Sequence, residues 1–174
     1  SYILIDADTD PTISVGGILD SIGGNIRVGK SEYFITEACE YTNSYHAFKP
    51  FISIVLNVDA DHLDFFKDID EIADSFHVFA TKTPKEGLVI VNGDMKYYNT
   101  VVKDLECRVV TFGKGPQNKY SAHNIRFDDF GHPTYTLVVD GKEVTDITLK
   151  VFGEHNVYNS LSAVAASLEL GISI

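Results

Sequence analysis

The segment Phe51-Ile52-Ser53-Ile54-Val55-Leu56 constrains the fold more than any other. Successive strand residues point to opposite faces, and here apolar side chains occupy both sets, so neither face can be given up to water. A parallel sheet flanked by helices meets that demand. Pro50 marks the start of the run. Leu88-Val89-Ile90-Val91 and Cys107-Arg108-Val109-Val110-Thr111-Phe112 repeat the texture downstream, and Tyr33-Phe34-Ile35-Thr36 is a shorter aromatic and β-branched run upstream.

The intervening segments have helical spacing. Asp68 with Glu71 reads as a capping box, followed by Ile69, Ile72, Ala73, Phe76 and Phe79 on one face, which predicts a helix covering the sheet. The pattern restarts after Lys82-Thr83-Pro84-Lys85-Glu86-Gly87, with a helix expected through Val101, Val102 and Leu105 and with Tyr97 and Tyr98 packing on its face. Residues 124–130, 134–139 and 143–151 then read as an antiparallel meander, turned by Asp128-Asp129-Phe130-Gly131 and Asp140-Gly141. A last helix over 156–170 carries Val157, Leu161, Val164, Ala165 and Leu168, and Gly171 is placed to end it. The expected class is α/β: a mostly parallel sheet flanked by helices, with a small antiparallel annex.

Charge narrows the function. Lys plus Arg number 14 against 25 Asp plus Glu, a formal charge of −11, which repels nucleic-acid backbones and anionic lipid surfaces. No apolar run approaches the roughly 20 residues of a membrane span, so neither nucleic acid nor membrane is an expected partner. The start at Ser1-Tyr2-Ile3-Leu4 has no basic region and no long apolar core of a signal peptide, and its lack of Met suggests that a beginning lies upstream. Cys39 and Cys107 have no CxxC partner, read as small packed side chains, and fit a reducing, cytoplasmic setting. His46, His123 and His132 show no partner pattern and read as surface or loop residues.

Gly24-Asn25-Ile26-Arg27-Val28-Gly29-Lys30-Ser31 matches the phosphate-loop pattern GxxxxGK[ST]. That loop works only between a strand and a helix, because the helix N-terminus aims its amides at the phosphates. Glu32-Tyr33-Phe34-Ile35-Thr36 instead begins a strand pattern, so the expectation is a Gly-rich turn leading into a strand.

Two acidic segments leave the carboxyl ends of predicted strands, where ligand sites of open α/β sheets lie. They are Glu37-Ala38-Cys39-Glu40 and Asn57-Val58-Asp59-Ala60-Asp61-His62-Leu63-Asp64. Were these strands parallel neighbours, Glu37 and His62 would approach one another and offer mixed oxygen and nitrogen ligands to Mg²⁺ or Mn²⁺ beside a phosphate substrate. The competing reading is that Asp59, Asp61 and Asp64 solvate a loop and cap the next helix. In Gly153-Glu154-His155-Asn156-Val157-Tyr158-Asn159, two amides stand at i and i+3 in the first helical turn, suited to the Watson–Crick edge of adenine, with an imidazole able to stack on a base. Asn156 alone would read as a helix cap.

Taken together with Asp10-Pro11-Thr12 and Val15-Gly16-Gly17, these segments resemble the central, ATP-binding domain of the Mur ligase family, in the family's order and across nearly the whole of residues 1–174. Glu37-Ala38-Cys39-Glu40-Tyr41 points to the alanine-adding branch, with the muropeptide-recycling branch as the nearest alternative. The resemblance implies that Glu37 and His62 bind the catalytic Mg²⁺, and that Asn156 and Asn159, with His155 beside them, hold the adenine of ATP. It implies UDP-N-acetylmuramate and L-alanine as substrates, joined through an acyl phosphate. It places the family's own phosphate loop before Ser1, makes 1–8 the tail of the following helix, and leaves the domain incomplete at its N-terminus and inactive when isolated. The family's carbamylated lysine has no counterpart in Asp74-Ser75-Phe76-His77-Val78-Phe79, and His77 is not given its role. Two other classes remain open: a metal-dependent phosphoesterase using Asp59, Asp61, His62 and Asp64, and a non-catalytic nucleotide-binding module.

Overall fold

The computed structural model describes residues 1–173, which divide into two units, one of residues 1–39 and 167–173 and one of residues 40–166. The first unit opens with helix α1 (Tyr2–Asp6) and holds a three-stranded sheet of β1 (Thr12–Leu19), β2 (Gly24–Arg27) and β3 (Phe34–Thr36) in the order β2-β1-β3. β1 and β2 form an antiparallel hairpin around a 3-10 turn that Gly23 closes at φ 64°, a left-handed conformation that favours glycine. β3 lies parallel to β1, with Ile13 opposite Ile35, and Ile13 is fully buried.

The second unit is built on a six-stranded sheet in the order β4-β5-β6-β7-β8-β9. Its strands are β4 (Ile52–Val55), β5 (Leu88–Asn92), β6 (Arg108–Gly113), β7 (Tyr120–Phe127), β8 (Pro133–Val139) and β9 (Lys142–Thr148). β4 through β7 run parallel and β7 through β9 antiparallel. The α/β class is as expected, but the meander continues the main sheet and begins at Tyr120, four positions before its predicted start at Asn124. β5 is the strand with both faces covered, Leu88 to Val91 all being buried. β4 sits at the sheet's edge, so Ile54 and the preceding Phe51 stay exposed despite the apolar run that contains them.

Helix α2 (Ile69–Ala80) forms where its capping box predicts. Asp68 accepts the N–H of Glu71 at 3.0 Å, and Glu71 returns a carboxylate oxygen to the N–H of Lys67 at 2.6 Å. Its buried face, Ile72, Ala73 and Ala80, joins Val55, Val89, Val91, Val101 and Cys107 in one apolar core, with Tyr97 and Tyr98 packed against it. Each such branched side chain contributes about 1.5–3 kcal/mol by leaving water. The second crossover helix, α3 (Tyr98–Val101), is a single turn, shorter than expected. Asp104 at φ 50° prevents its continuation, while Val102 and Leu105 still pack on the core. Helix α4 (Glu154–Glu169) buries Val157, Leu161 and Ala165, and is anchored by Tyr135 Oη to Ser160 Oγ at 2.8 Å. Gly171 at φ 82° ends it, with the N–H groups of Gly171 and Ile172 returning to the carbonyls of Leu168 and Ser167.

Several side chains differ from expectation. Cys39 is exposed rather than packed, whereas Cys107 is buried in the core as expected. His46 is engaged, its Nε2 lying 2.9 Å from the Ser75 carbonyl and its ring stacked 4.8 Å from Tyr45. His132 pairs with Asp128 at 3.0 Å. No helix among the described residues is long and apolar enough to cross a membrane.

Candidate functional site

β4, β5 and β6 are parallel, so the segments that follow them leave the same edge of the sheet, the edge where open α/β sheets place ligands. After β4 comes the Asn57–Asp64 loop. His62 sits there at φ 52°, a region β-carbon-bearing residues rarely enter, and Asp61 Oδ1 accepts its N–H at 2.7 Å. Glu40 Oε1 lies 3.6 Å from His62 Nε2 and Asp61 Oδ1 lies 3.8 Å from Nδ1. One ligand atom from each of Glu40, Asp61 and His62 falls within 4.8 Å of the others. Two carboxylate oxygens and an imidazole nitrogen suit Mg²⁺ or, with its greater tolerance of nitrogen, Mn²⁺.

Tyr41 braces this group. Its ring lies 4.7 Å from that of His62, and its hydroxyl donates to Asp64 Oδ2 at 3.1 Å. That bond to a carboxylate is the main reason the phenol titrates above its ordinary value. Asp64 is thus turned to Tyr41, and Asp59 accepts from Asn57 Nδ2 at 2.7 Å, so only Asp61 of the three loop aspartates borders His62. The phosphoesterase constellation of Asp59, Asp61, His62 and Asp64 does not converge among the described residues.

Glu37 directly follows β3, which belongs to the three-stranded sheet. β3 pairs with β1 and β4 with β5, so the hydrogen-bonded adjacency that would carry Glu37 to His62 is absent from the described residues. The Glu37 carboxylate instead accepts the N–H of Gly16 at 2.7 Å, and a Cβ on Gly16 would stand 2.8 Å from it. The acid beside the imidazole is Glu40, which no spacing in the sequence distinguishes from Glu37. It directly precedes the 3-10 segment Tyr41–Ala47 that carries Tyr41 to His62.

The Gly24–Ser31 segment is not a phosphate cradle. Gly24–Arg27 is strand β2, and β3 follows rather than a helix. Its amides and hydroxyl are already taken: Lys30 N–H donates to Asp10 Oδ2 at 3.0 Å, and Ser31 N–H and Oγ both donate to the Asp10 carbonyl. Arg27 also binds the Asp10 carboxylate, which holds its pKa below the ordinary value.

At the sheet's carboxyl edge, the loops after β5 and β6 are fastened together and to α4. Asp94 accepts the N–H groups of Lys114 and Gly115 and the side-chain amides of Gln117 and Asn118. Asn118 is 4% exposed, and its buried Oδ1 has no hydrogen-bond partner among the described residues. Lys114 Nζ then reaches Glu154 Oε1 at 3.1 Å in the first turn of α4, and Tyr158 Oη donates to the same oxygen at 3.0 Å. The Lys114 bond pulls the Glu154 carboxyl below its usual range and raises the lysine. That turn carries the predicted amides. Asn156 Nδ2 donates to the Phe152 carbonyl at 2.7 Å, and Asn159 Nδ2 to Asn156 Oδ1 at 3.2 Å, Asn159 being an exposed residue. Gly153 at φ 90° makes the approach, since a Cβ there would fall 2.7 Å from the His155 ring. His155, Asn156 and Asn159 are thus brought together on one short segment.

A family model described as the Mur ligase middle domain matches residues 19–167. The chain belongs to the Mur ligase family. A UDP-N-acetylmuramate–L-alanine ligase of Lachnospira eligens is 53% identical over 175 aligned residues, spanning 100% of this chain and 38% of that relative. A solved UDP-N-acetylmuramate-alanine ligase from Thermotoga maritima matches with a TM-score of 0.81 at 25% identity, over 98% of this chain and 37% of that one. The UDP-N-acetylmuramate:L-alanyl-gamma-D-glutamyl-meso-diaminopimelate ligase of Neisseria meningitides matches with a TM-score of 0.85 at 24% identity, over 98% of this chain and 56% of that one, a likeness of fold. The chain therefore spans well under half of the Lachnospira relative, and the Mur ligase middle domain match takes in the whole six-stranded sheet and α4 as far as Ser167.

Proposed function

We propose that this chain is the nucleotide-handling middle part of an ATP-dependent ligase that joins L-alanine to UDP-N-acetylmuramate in peptidoglycan synthesis. The observation that carries the reading is the 53% identity to the Lachnospira eligens alanine ligase across 100% of the chain. It favours alanine over the muropeptide-recycling substrate, whose support is a likeness of fold at 24% identity. ATP and a UDP-sugar as substrates imply a cytoplasmic location.

In this reading Asn156 and Asn159 hold adenine by amide donors and acceptors, with His155 beside them. His62 takes part in binding Mg²⁺ or Mn²⁺, and Glu40 and Asp61 add the carboxylates that border the imidazole. The ion, when bound, neutralises charge on the transferring phosphoryl group. Tyr41 and the Asp61 acceptor fix the His62 ring and backbone, so that little orientational entropy is lost when a ligand arrives. The γ-phosphoryl passes to the sugar nucleotide's carboxylate, giving an acyl phosphate and ADP. The alanine amine attacks the carbonyl carbon and loses a proton, and phosphate departs with the C–O electron pair to leave an amide.

The test is a ligase in which this chain replaces the matching segment of the Lachnospira eligens relative. Phosphate release that requires ATP, UDP-N-acetylmuramate and L-alanine together is expected. Release without L-alanine, or preference for a peptide acceptor substrate, overturns the reading.

A further inference from the structure

Ser75 shares the buried face of α2 with Ile72, Ala73 and Phe79, a position where alanine would favour the helix and bury as well. Three side chains of the 3-10 segment Tyr41–Ala47 converge on its hydroxyl. Ser75 Oγ donates to Asn43 Oδ1, lies 2.8 Å from Tyr45 Oη, and lies 3.2 Å from His46 Nε2, which is also 2.9 Å from the Ser75 carbonyl. A hydroxyl has one hydrogen and two lone pairs, so with the hydrogen on Asn43 the other two partners are donors and the oxygen is saturated. Tyr45 is fully buried, its ring stacked on His46 at 4.8 Å and on Phe79 at 4.7 Å.

The segment reaches this anchor through an unfavourable backbone. Thr42 at φ 55° and Asn43 at φ 57° are consecutive left-handed residues, a region that asparagine tolerates and a β-branched threonine does not. Such a conformation persists only where surrounding contacts over-determine it. The turn it makes carries the acidic side of the His62 group. Asn43 N–H donates to the Glu40 carbonyl at 2.9 Å, Glu40 Oε1 stands 3.6 Å from His62 Nε2, and the Tyr41 ring lies 4.7 Å from that of His62 and 6.2 Å from that of Phe65. Contacts therefore run without a break from α2 through Ser75 and Asn43 to Glu40 and His62. We propose that Ser75 is a clamp, a positioning residue that grips Asn43 and so holds Glu40 and Tyr41 in place beside His62. This rests on the metal reading above and deepens it: α2 orders in advance a carboxylate that an arriving ion would otherwise have to order. An apolar side chain at position 75 would fill the helix face without fixing the turn.

Mn²⁺ binding by the full chain, read from loss of the free-ion signal in electron paramagnetic resonance, tests the clamp at a temperature where circular dichroism shows each variant folded. Ser75→Ala is expected to weaken Mn²⁺ about fivefold or more, and Ser75→Thr, which keeps the hydroxyl, to restore it. Asn43→Gly accepts the left-handed backbone but drops the acceptor, and is expected to match Ser75→Ala. In a Glu40→Gln background Ser75→Ala is expected to cost nothing further, because its effect passes through that carboxylate, whereas a general loosening of the fold would weaken both backgrounds alike. Wild-type Mn²⁺ affinity in Ser75→Ala and Asn43→Gly, or losses that multiply with that of Glu40→Gln, overturn the clamp alone. No Mn²⁺ binding by the wild-type chain, or binding that His62→Ala leaves unchanged, overturns the metal reading and the clamp with it.

Discussion

Lys114 Nζ lies 3.1 Å from Glu154 Oε1, tying the loop after β6 to the first turn of α4, one residue before His155. Both side chains are substantially exposed, so the pair contributes little to global stability and acts by setting where that turn stands. Lys114→Met is expected to leave the thermal midpoint almost unchanged and to weaken ATP binding several-fold in calorimetry. The carboxyl of Glu154 is depressed, so the pair's contribution is present above the ordinary glutamate range and is lost as pH falls through the lowered value. Nucleotide affinity that is insensitive to Lys114→Met would disconnect the loop from the helix.

Asp94 is the fastening point beneath that contact. Asp94→Ala strips acceptors from the backbone of Lys114 and Gly115 and from the amides of Gln117 and Asn118, and a destabilisation of about 1–3 kcal/mol is expected in urea denaturation. Gly93→Ala should cost at least as much, because its Cβ would collide with Asn118 Oδ1. A midpoint unchanged in both variants would contradict the role given to Asp94.

Lys30 and Ser31 satisfy the text of a phosphate loop without its structure. Lys30→Ala and Ser31→Ala are expected to leave ATP affinity within about twofold, a difference well under 1 kcal/mol. A tenfold loss would restore the loop as a phosphate site.

Tyr45 supplies an alkaline limit. Burial pushes its hydroxyl up to about 12, partly offset by the 2.8 Å bond with Ser75 Oγ. An unfolded tyrosine titrates near 10. The neutral phenol therefore stabilises the fold fully below about pH 10, and that contribution is lost progressively between about pH 10 and 12. The thermal midpoint of Tyr45→Phe should fall less steeply over that interval than that of the wild type. Burial also raises Tyr135, which leaves a residual slope.

How much of this was legible in the sequence varies with the physics of each part. β5 and α2 could be read because burial on both faces and a capping box leave period and punctuation in the residues themselves. The length of α3 could not, because a single left-handed residue, Asp104, stops it against its own apolar spacing. His155, Asn156 and Asn159 were legible because neighbours in a helical turn are neighbours in sequence. The surroundings of His62 were half legible. Its partner depended on which strands pair, and pairing β3 with β1 moves Glu37 onto Gly16 while Glu40 borders the imidazole. The Asp94–Lys114–Glu154 connection carries no periodic signal; its trace is the glycines at 93, 113 and 115, where loops close too tightly for a Cβ.

Calorimetric titration of this chain with ATP in the presence of Mn²⁺, comparing wild type with Asn159→Ala and His62→Ala, bears most directly on the assignment of a nucleotide and metal site to the carboxyl edge of the sheet. Saturable one-to-one binding is expected, weakened by about tenfold or more when Asn159 loses its amide, with the Mn²⁺ dependence abolished when His62 loses its imidazole. Binding that is unchanged in both variants, or no binding by the wild-type chain, would contradict it.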